Sequence, residues 1–348
     1  MQMNESILLG VPKVEFGENG ITPFPMCLKS CANYLGMDVG YDYLMAACGA
    51  AFRLNWNTEI WDGGAVGTFF TFDDPAKIFR LGVESLGCEF EMINRSEATE
   101  KQEFIDFIVH KINAGIPVIA RGVIGPPEEC IITGYREGGN TLLGWNFFQD
   151  NPMFNGGVAF DESGYFITDK WWENPDTNAV MSVGDVTKEK FSPKIILSNA
   201  IEVMTGRVVG SYAKGIAAYD AWAKAILDDS GFSENSVMPI LAEHLMCHGD
   251  AMDCIADGRY NAASYIKSLV LPAHQELLNE AAVQFEKVSA TFWKMTKVLG
   301  GVERGETEMR MFAKPEVRRQ LAQIIFEAKA ADENALNIIK KLVEVLHE

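Results

Sequence analysis

Cys27 lies in Thr22-Pro23-Phe24-Pro25-Met26-Cys27-Leu28-Lys29-Ser30-Cys31-Ala32, where a proline-punctuated loop runs into an apolar helix. Pro25 resists a helix behind it, so the helix is predicted to start at Met26 or Cys27, with the cysteine in its first turn. Unpaired N–H groups at a helix start stabilise a thiolate, which is how a cysteine becomes a nucleophile. The competing expectation is a buried, inert cysteine. A second arrangement, Glu243-His244-Leu245-Met246-Cys247-His248-Gly249-Asp250, puts His244 and His248 one helical turn apart on one face. That is metal-ligand spacing, and Asp250 or Asp253 could add an oxygen. The glutamate precedes the first histidine, however, and no third ligand is fixed. The expectation is therefore no metal and two histidines on a polar bundle face, with a His244–His248 metal site as the alternative. A further alternative has this helix packing over a cleft and lending Cys27 an imidazole.

Two textures divide the chain. Up to about residue 196, glycine, proline and aromatics are frequent and apolar runs are short; beyond it, long helical periodicity takes over. Helices are predicted at 26–36, 40–50, 75–86 and 100–114. Strands are predicted at Pro117–Arg121, Cys130–Tyr135, Thr141–Trp145, Gly164–Thr168 and Ala179–Val183. Gly138-Gly139-Asn140 makes a hairpin turn. Helices first and antiparallel strands later give an α+β domain over 1–196. In 197–348, apolar residues at three-to-four spacing predict helices at 198–229, 234–256, 258–280, 280–299 and 315–346. Breaks are expected at Gly231, Gly258 and Gly300-Gly301. The alanine stripe Ala213, Ala217, Ala218, Ala221 and Ala225 suits close helix packing, as a homo-oligomer interface or as a lid. Gly63-Gly64-Ala65-Val66-Gly67 opens no helix after a strand and reads as a loop bordering the cleft, not a phosphate loop.

The 348 residues carry a net charge of −18. Residues 1–196 hold 27 acidic and 14 basic side chains, net −13, against net −5 for the rest. Nucleic acid and anionic membrane are disfavoured as partners, and a cationic or amine-bearing substrate is compatible with the first half. Seven cysteines, with no CxxC pair and no disulfide-scaffold spacing, predict reduced thiols and a cytoplasmic compartment. No basic-then-apolar leader and no run approaching 18 apolar residues is present, so neither secretion nor membrane spanning is expected.

The order of these motifs resembles the papain-like cysteine hydrolase fold over roughly residues 20–170. After the helix bearing Cys27 comes Cys130-Ile-Ile-Thr-Gly134-Tyr135, similar to the strand that follows the catalytic histidine. Leu142-Leu143-Gly144-Trp145-Asn146-Phe147 and Gly164-Tyr165-Phe166-Ile167 resemble the strand bearing the orienting asparagine and the strand after it. Ala50-Ala51-Phe52-Arg53-Leu54, Pro117-Val118-Ile119-Ala120 and Gly122-Val123-Ile124-Gly125-Pro126-Pro127-Glu128 resemble the C39-like branch that includes the N-terminal domain of the butirosin-biosynthesis protein H type. The resemblance implies cysteine-dependent acyl transfer, or amide or peptide hydrolysis, on a small substrate, with an acyl-carrier thioester as one donor and no cofactor. It implies Cys27 as nucleophile, Asn146 as orienting residue, and residue 128 at the histidine position.

Two departures stand against that implication. Glu128 replaces the histidine, with Glu129 beside it, and Ile21 stands where an oxyanion-hole glutamine belongs, leaving Asn19 as the nearest amide. A carboxylate is a weak base for a thiol proton, and beside Cys27 it raises the thiol pKa. Glu128 therefore reads as a modified acid/base, as an amine-binding group, or as a structural residue after the rigid Pro126-Pro127. Arg121 is a candidate for a substrate carboxylate or phosphate, or for an ion pair with an acid. Trp145 is a candidate cleft wall. The alternative function is a catalytically inactive papain-like module that binds a small molecule or peptide.

Overall fold

The computed structural model describes residues 4–346 apart from 18–19, 64–66, 153, 156 and 233–237. The chain forms β1 (Ser6–Ile7), α1 (Pro23–Tyr34), α2 (Tyr41–Ala47), β2 (Asn55–Asn57), α3 (Lys77–Glu84), β3 (Cys88–Asn94), α4 (Lys101–Asn113), β4 (Val118–Arg121), β5 (Glu129–Arg136), β6 (Thr141–Asn146), β7 (Ala159–Phe160), β8 (Phe166–Thr168) and β9 (Ala179–Val186). It continues with α5 (Pro193–Met204), β10 (Arg207–Val209), β11 (Tyr212–Lys214), α6 (Ile216–Leu227), α7 (Met238–Ser268), α8 (Gln275–Ser289), α9 (Thr291–Leu299), α10 (Glu306–Phe312) and α11 (Pro315–Val345). Mixed α and β structure thus gives way to a helical C-terminal region. Among the described residues no helix is long and apolar enough to cross a membrane.

The chain makes two compact units, and they do not follow the linear cut at 196/197. One comprises Met1–Leu44 with Phe79–Lys190; the other comprises Met45–Ile78 with Phe191–Glu348. The first unit is an antiparallel sheet in the order β3-β9-β4-β5-β6-β8-β7, with β1 added to the end of β5. Alternation along the strands explains its layering. Val118 and Ala120 of β4 and Cys130 and Ile132 of β5 join one buried cluster with Phe104, Ile105, Ile108 and Ile112 of α4. Ile119 and Ile131, paired across β4 and β5, belong to the opposite face, as do Arg121 and Glu129. Helix α4 starts with a reciprocal cap between Glu100 and Glu103, which satisfies two of its free N–H groups.

The second unit packs α5–α11 with the small sheet β10-β11-β2 around a core that includes Trp222, Leu245, Ile255, Leu321 and Ile325. The expected single helix at 198–229 is two helices separated by the β10–β11 hairpin, to which β2 adds as a third strand. Gly258 does not break a helix. It lies within α7, where a Cβ would come 2.8 Å from the Ala51 carbonyl oxygen. The missing side chain lets residues 50–52, a short 3₁₀ turn, lie directly on the helix. The next residue completes the join. The Arg259 guanidinium binds Asp332 of α11 through Nε (3.0 Å) and Nη2 (2.6 Å), and its Nη1 donates to the carbonyls of Ala51 (3.0 Å) and Arg53 (2.9 Å). Tyr219 of α6 donates its hydroxyl to Asp332 at 2.7 Å.

Replacing Asp332 with alanine leaves the Arg259 charge buried without its counter-ion, and the expected loss is about 3–5 kcal/mol of unfolding free energy. Denaturant unfolding monitored by far-ultraviolet circular dichroism measures it. A loss under 1 kcal/mol would show that this cluster does not hold the helical unit together.

Candidate functional site

Helix α1 begins earlier than its sequence suggests. Pro23 and Pro25 both lie in the first turn, where an N–H is not needed, so neither proline excludes the helix. Cys27 becomes the fifth residue, beyond the positions whose N–H groups lack an intrahelical partner. The predicted activation by free N–H groups is thereby lost. The side chain is 0 % exposed, and burial pushes its thiol well above the ordinary range. Cys130, Cys31, Glu129 and Glu128 add to that upward shift. The structure therefore brings Cys27 and the two glutamates within electrostatic reach of one another, and their combined effect keeps the thiol protonated. The one histidine of this unit, His110, is exposed on α4.

The other residues singled out from the sequence are already engaged. Glu129 is fully buried, with Oε1 4.0 Å from Arg121 Nη1. Arg121 also donates from Nε to the Pro127 carbonyl at 3.1 Å, which fits the ion-pair reading better than a substrate-binding one. Glu128 is half-buried on the loop between β4 and β5. Asn146, 2 % exposed, donates from Nδ2 to the Ile124 carbonyl (2.9 Å) and accepts from the Phe148 N–H (2.7 Å). Its amide thus ties two loops together, with one N–H and one oxygen lone pair used in these bonds. Trp145 donates to the Val11 carbonyl at 2.8 Å and meets Tyr165 edge to face, so it pins the N-terminal segment to the sheet. Asn19 and the Gly64-Ala65-Val66 part of the glycine loop lie outside the described residues.

This unit has a recess of about 630 Å³, and Cys27 does not line it. Its walls are Val123–Gly125, which Asn146 anchors, and polar residues from the sheet edge: Thr141, Thr168, Asp169, Lys170 and Asn174. No short motif marked it, because it is assembled from five separated stretches, 123–125, 141, 157–159, 167–170 and 174. In the helical unit a second cleft of about 450 Å³ includes Trp56, Trp61 and His244. Of the residues singled out from the sequence, His244, Gly231 and the stripe alanines Ala221 and Ala225 line it, but nothing in their spacing joined them to Trp56 and Trp61.

The paired histidines are aromatic core residues. His248 is fully buried, accepts at Nδ1 from the Trp222 indole N–H (3.0 Å) and stacks on Phe312. His244 stacks on Trp61 with ring centroids 4.1 Å apart. Asp250 and Asp253, the suggested oxygen ligands, both bind Arg304. Among the described residues no group of three or more His, Cys, Asp or Glu side chains is arranged to hold a metal ion. The sequence matches no known family model and no curated protein.

Burial lowers the His244 pKa to about 4 and the His248 pKa to about 3, from an ordinary 6.5. Both imidazoles are neutral in the fold, so their contribution to stability is complete above pH 6.5 and is lost as the pH falls toward 4 and 3. Asp250, pushed up by burial to about 6, works in the opposite sense. A His244→Phe variant is expected to gain stability relative to the unmodified chain between pH 7 and pH 5, read from urea midpoints. A constant difference across that range would mean that His244 titrates normally.

Proposed function

We propose that the Cys27-bearing unit is a papain-like scaffold that binds a small amine-bearing molecule or a short peptide and does not hydrolyse it. The arrangement of a cysteine-bearing helix beside an antiparallel sheet, with Asn146 on β6, supports the likeness. The observation that carries the reading is the state of Cys27, sealed from solvent beside acidic side chains with its thiol held protonated. A cysteine nucleophile needs the thiolate and a base to take its proton. Here burial and like charge both oppose ionisation.

The recess beside the anchored Val123–Gly125 loop offers the binding place. Its volume falls in the range of ordinary small-molecule sites. Asp169 supplies a partner for an amine, while Lys170 and the Thr168 hydroxyl supply partners for carbonyl or carboxylate oxygens. The acid excess of residues 1–196 favours a cationic group on the ligand.

Iodoacetamide labelling of native protein, followed by peptide mass spectrometry from pH 6 to 9, is expected to leave Cys27 unmodified until the chain is unfolded. Small amines and dipeptides that raise the melting temperature are expected to do so equally in Cys27→Ala. Rapid labelling of Cys27 at neutral pH, together with amide or thioester turnover that Cys27→Ala abolishes, would overturn the reading in favour of an acyl-transfer enzyme.

A further inference from the structure

We infer that the helical unit carries a second ligand site, the cleft beside β2 and α6, and that it takes a planar aromatic ring bearing a cationic amine. The cleft holds about 450 Å³, enough for a bicyclic ring with a short side chain. Its aromatic wall is fixed by packing before any ligand arrives. Trp61 stacks on His244 at 4.1 Å and 23°, meets Trp56 edge to face at 5.4 Å, and Trp56 in turn stacks on Trp222 at 5.9 Å. A flat ring entering such a wall gains stacking area at little cost in side-chain order.

The second observation is His244 itself. The residue is 5 % exposed and lines the cleft, and its buried Nδ1 has no hydrogen-bond partner among the described residues. A buried polar atom without a partner is unfavourable, and a ligand hydrogen bond relieves it. The space beside this ring edge is kept open by Gly231, where a Cβ would stand 3.0 Å from His244 Cε1. With its pKa lowered to about 4, the imidazole is neutral near pH 7 and does not repel a cation.

The charge at the cleft selects the ligand's sign. Glu59 and Asp228 present two carboxylates against the single cation Lys224. The Ser230 backbone N–H and hydroxyl, with Lys224 one turn earlier on α6, hold the Asp228 carboxyl below its usual range, so it stays ionised. The indole faces add attraction for a cation. The net charge of −18 adds a long-range preference of the same sign.

Isothermal titration of the full chain with tryptamine and with indole-3-acetate tests the site, since the two probes share a ring and differ in charge. Saturable one-to-one binding of tryptamine is expected, with indole-3-acetate at least about tenfold weaker, a difference near 1.4 kcal/mol. The exposed pair Glu59→Gln and Asp228→Asn together should weaken tryptamine about tenfold while the far-ultraviolet circular dichroism of the folded chain is unchanged. His244→Phe, which keeps a ring but removes the acceptor, should weaken it severalfold. No saturable heat with millimolar tryptamine, equal affinity for both probes, or unchanged affinity in the Glu59→Gln/Asp228→Asn variant would each overturn the inference. Because these substitutions lie in the helical unit, their outcome is independent of the recess in the sheet unit.

Discussion

The helical unit depends on one buried charge cluster. Arg259, Asp332 and Tyr219 join α7, α11 and α6, and the same guanidinium holds the carbonyls of Ala51 and Arg53. Burying a guanidinium and a carboxylate is costly unless their hydrogen-bonding capacity is used, and here both carboxylate oxygens and all three guanidinium nitrogens have partners. Tyr219, its hydroxyl kept protonated by burial, is the donor that completes the carboxylate. The cluster also fixes the join, because Nη1 holds two carbonyls of residues 50–53 at once and Gly258 makes room for their close approach.

From this join follows the edge of the aromatic cleft. With 50–53 held on α7, the next residues run as β2 along β11, which sets Trp56 against Trp222 and brings Trp61 onto His244. The aromatic cleft is therefore a consequence of where a segment from early in the chain is anchored. The sheet unit has a comparable device of smaller scale. Asn146 ties the Ile124 carbonyl and the Phe148 N–H together, so one amide shapes the loop that walls the recess. In both units a buried polar group fixes irregular backbone beside a cavity, and satisfied hydrogen bonds make such backbone tolerable away from water.

Cys27 illustrates how environment decides the chemistry of a side chain. A thiol in a helix first turn and a thiol one residue later look alike on paper. The difference is an N–H already engaged in the helix, full burial and two nearby glutamates, and all of these act against the thiolate. That residues 128 and 129 are both glutamates is plain from the sequence, and the structure adds that Glu129 is buried beside Arg121 across β4 and β5.

The sequence by itself determined the local elements: the helix that becomes α4, the β5–β6 hairpin at Gly138-Gly139, the long helix that ends the chain, and the glutamate at residue 128. These rest on periodicity, turn chemistry and residue identity, which are properties of neighbours along the chain. Only the tertiary structure decided that residues 45–78 belong with the helices, that Gly258 continues a helix instead of ending one, that Cys27 is sealed, and where the two cavities open. Those outcomes depend on contacts between residues as far apart as Arg53 and Arg259, or Tyr219 and Asp332. Burial and pairing of such groups are fixed by packing across the fold, and no local pattern of residues encodes them.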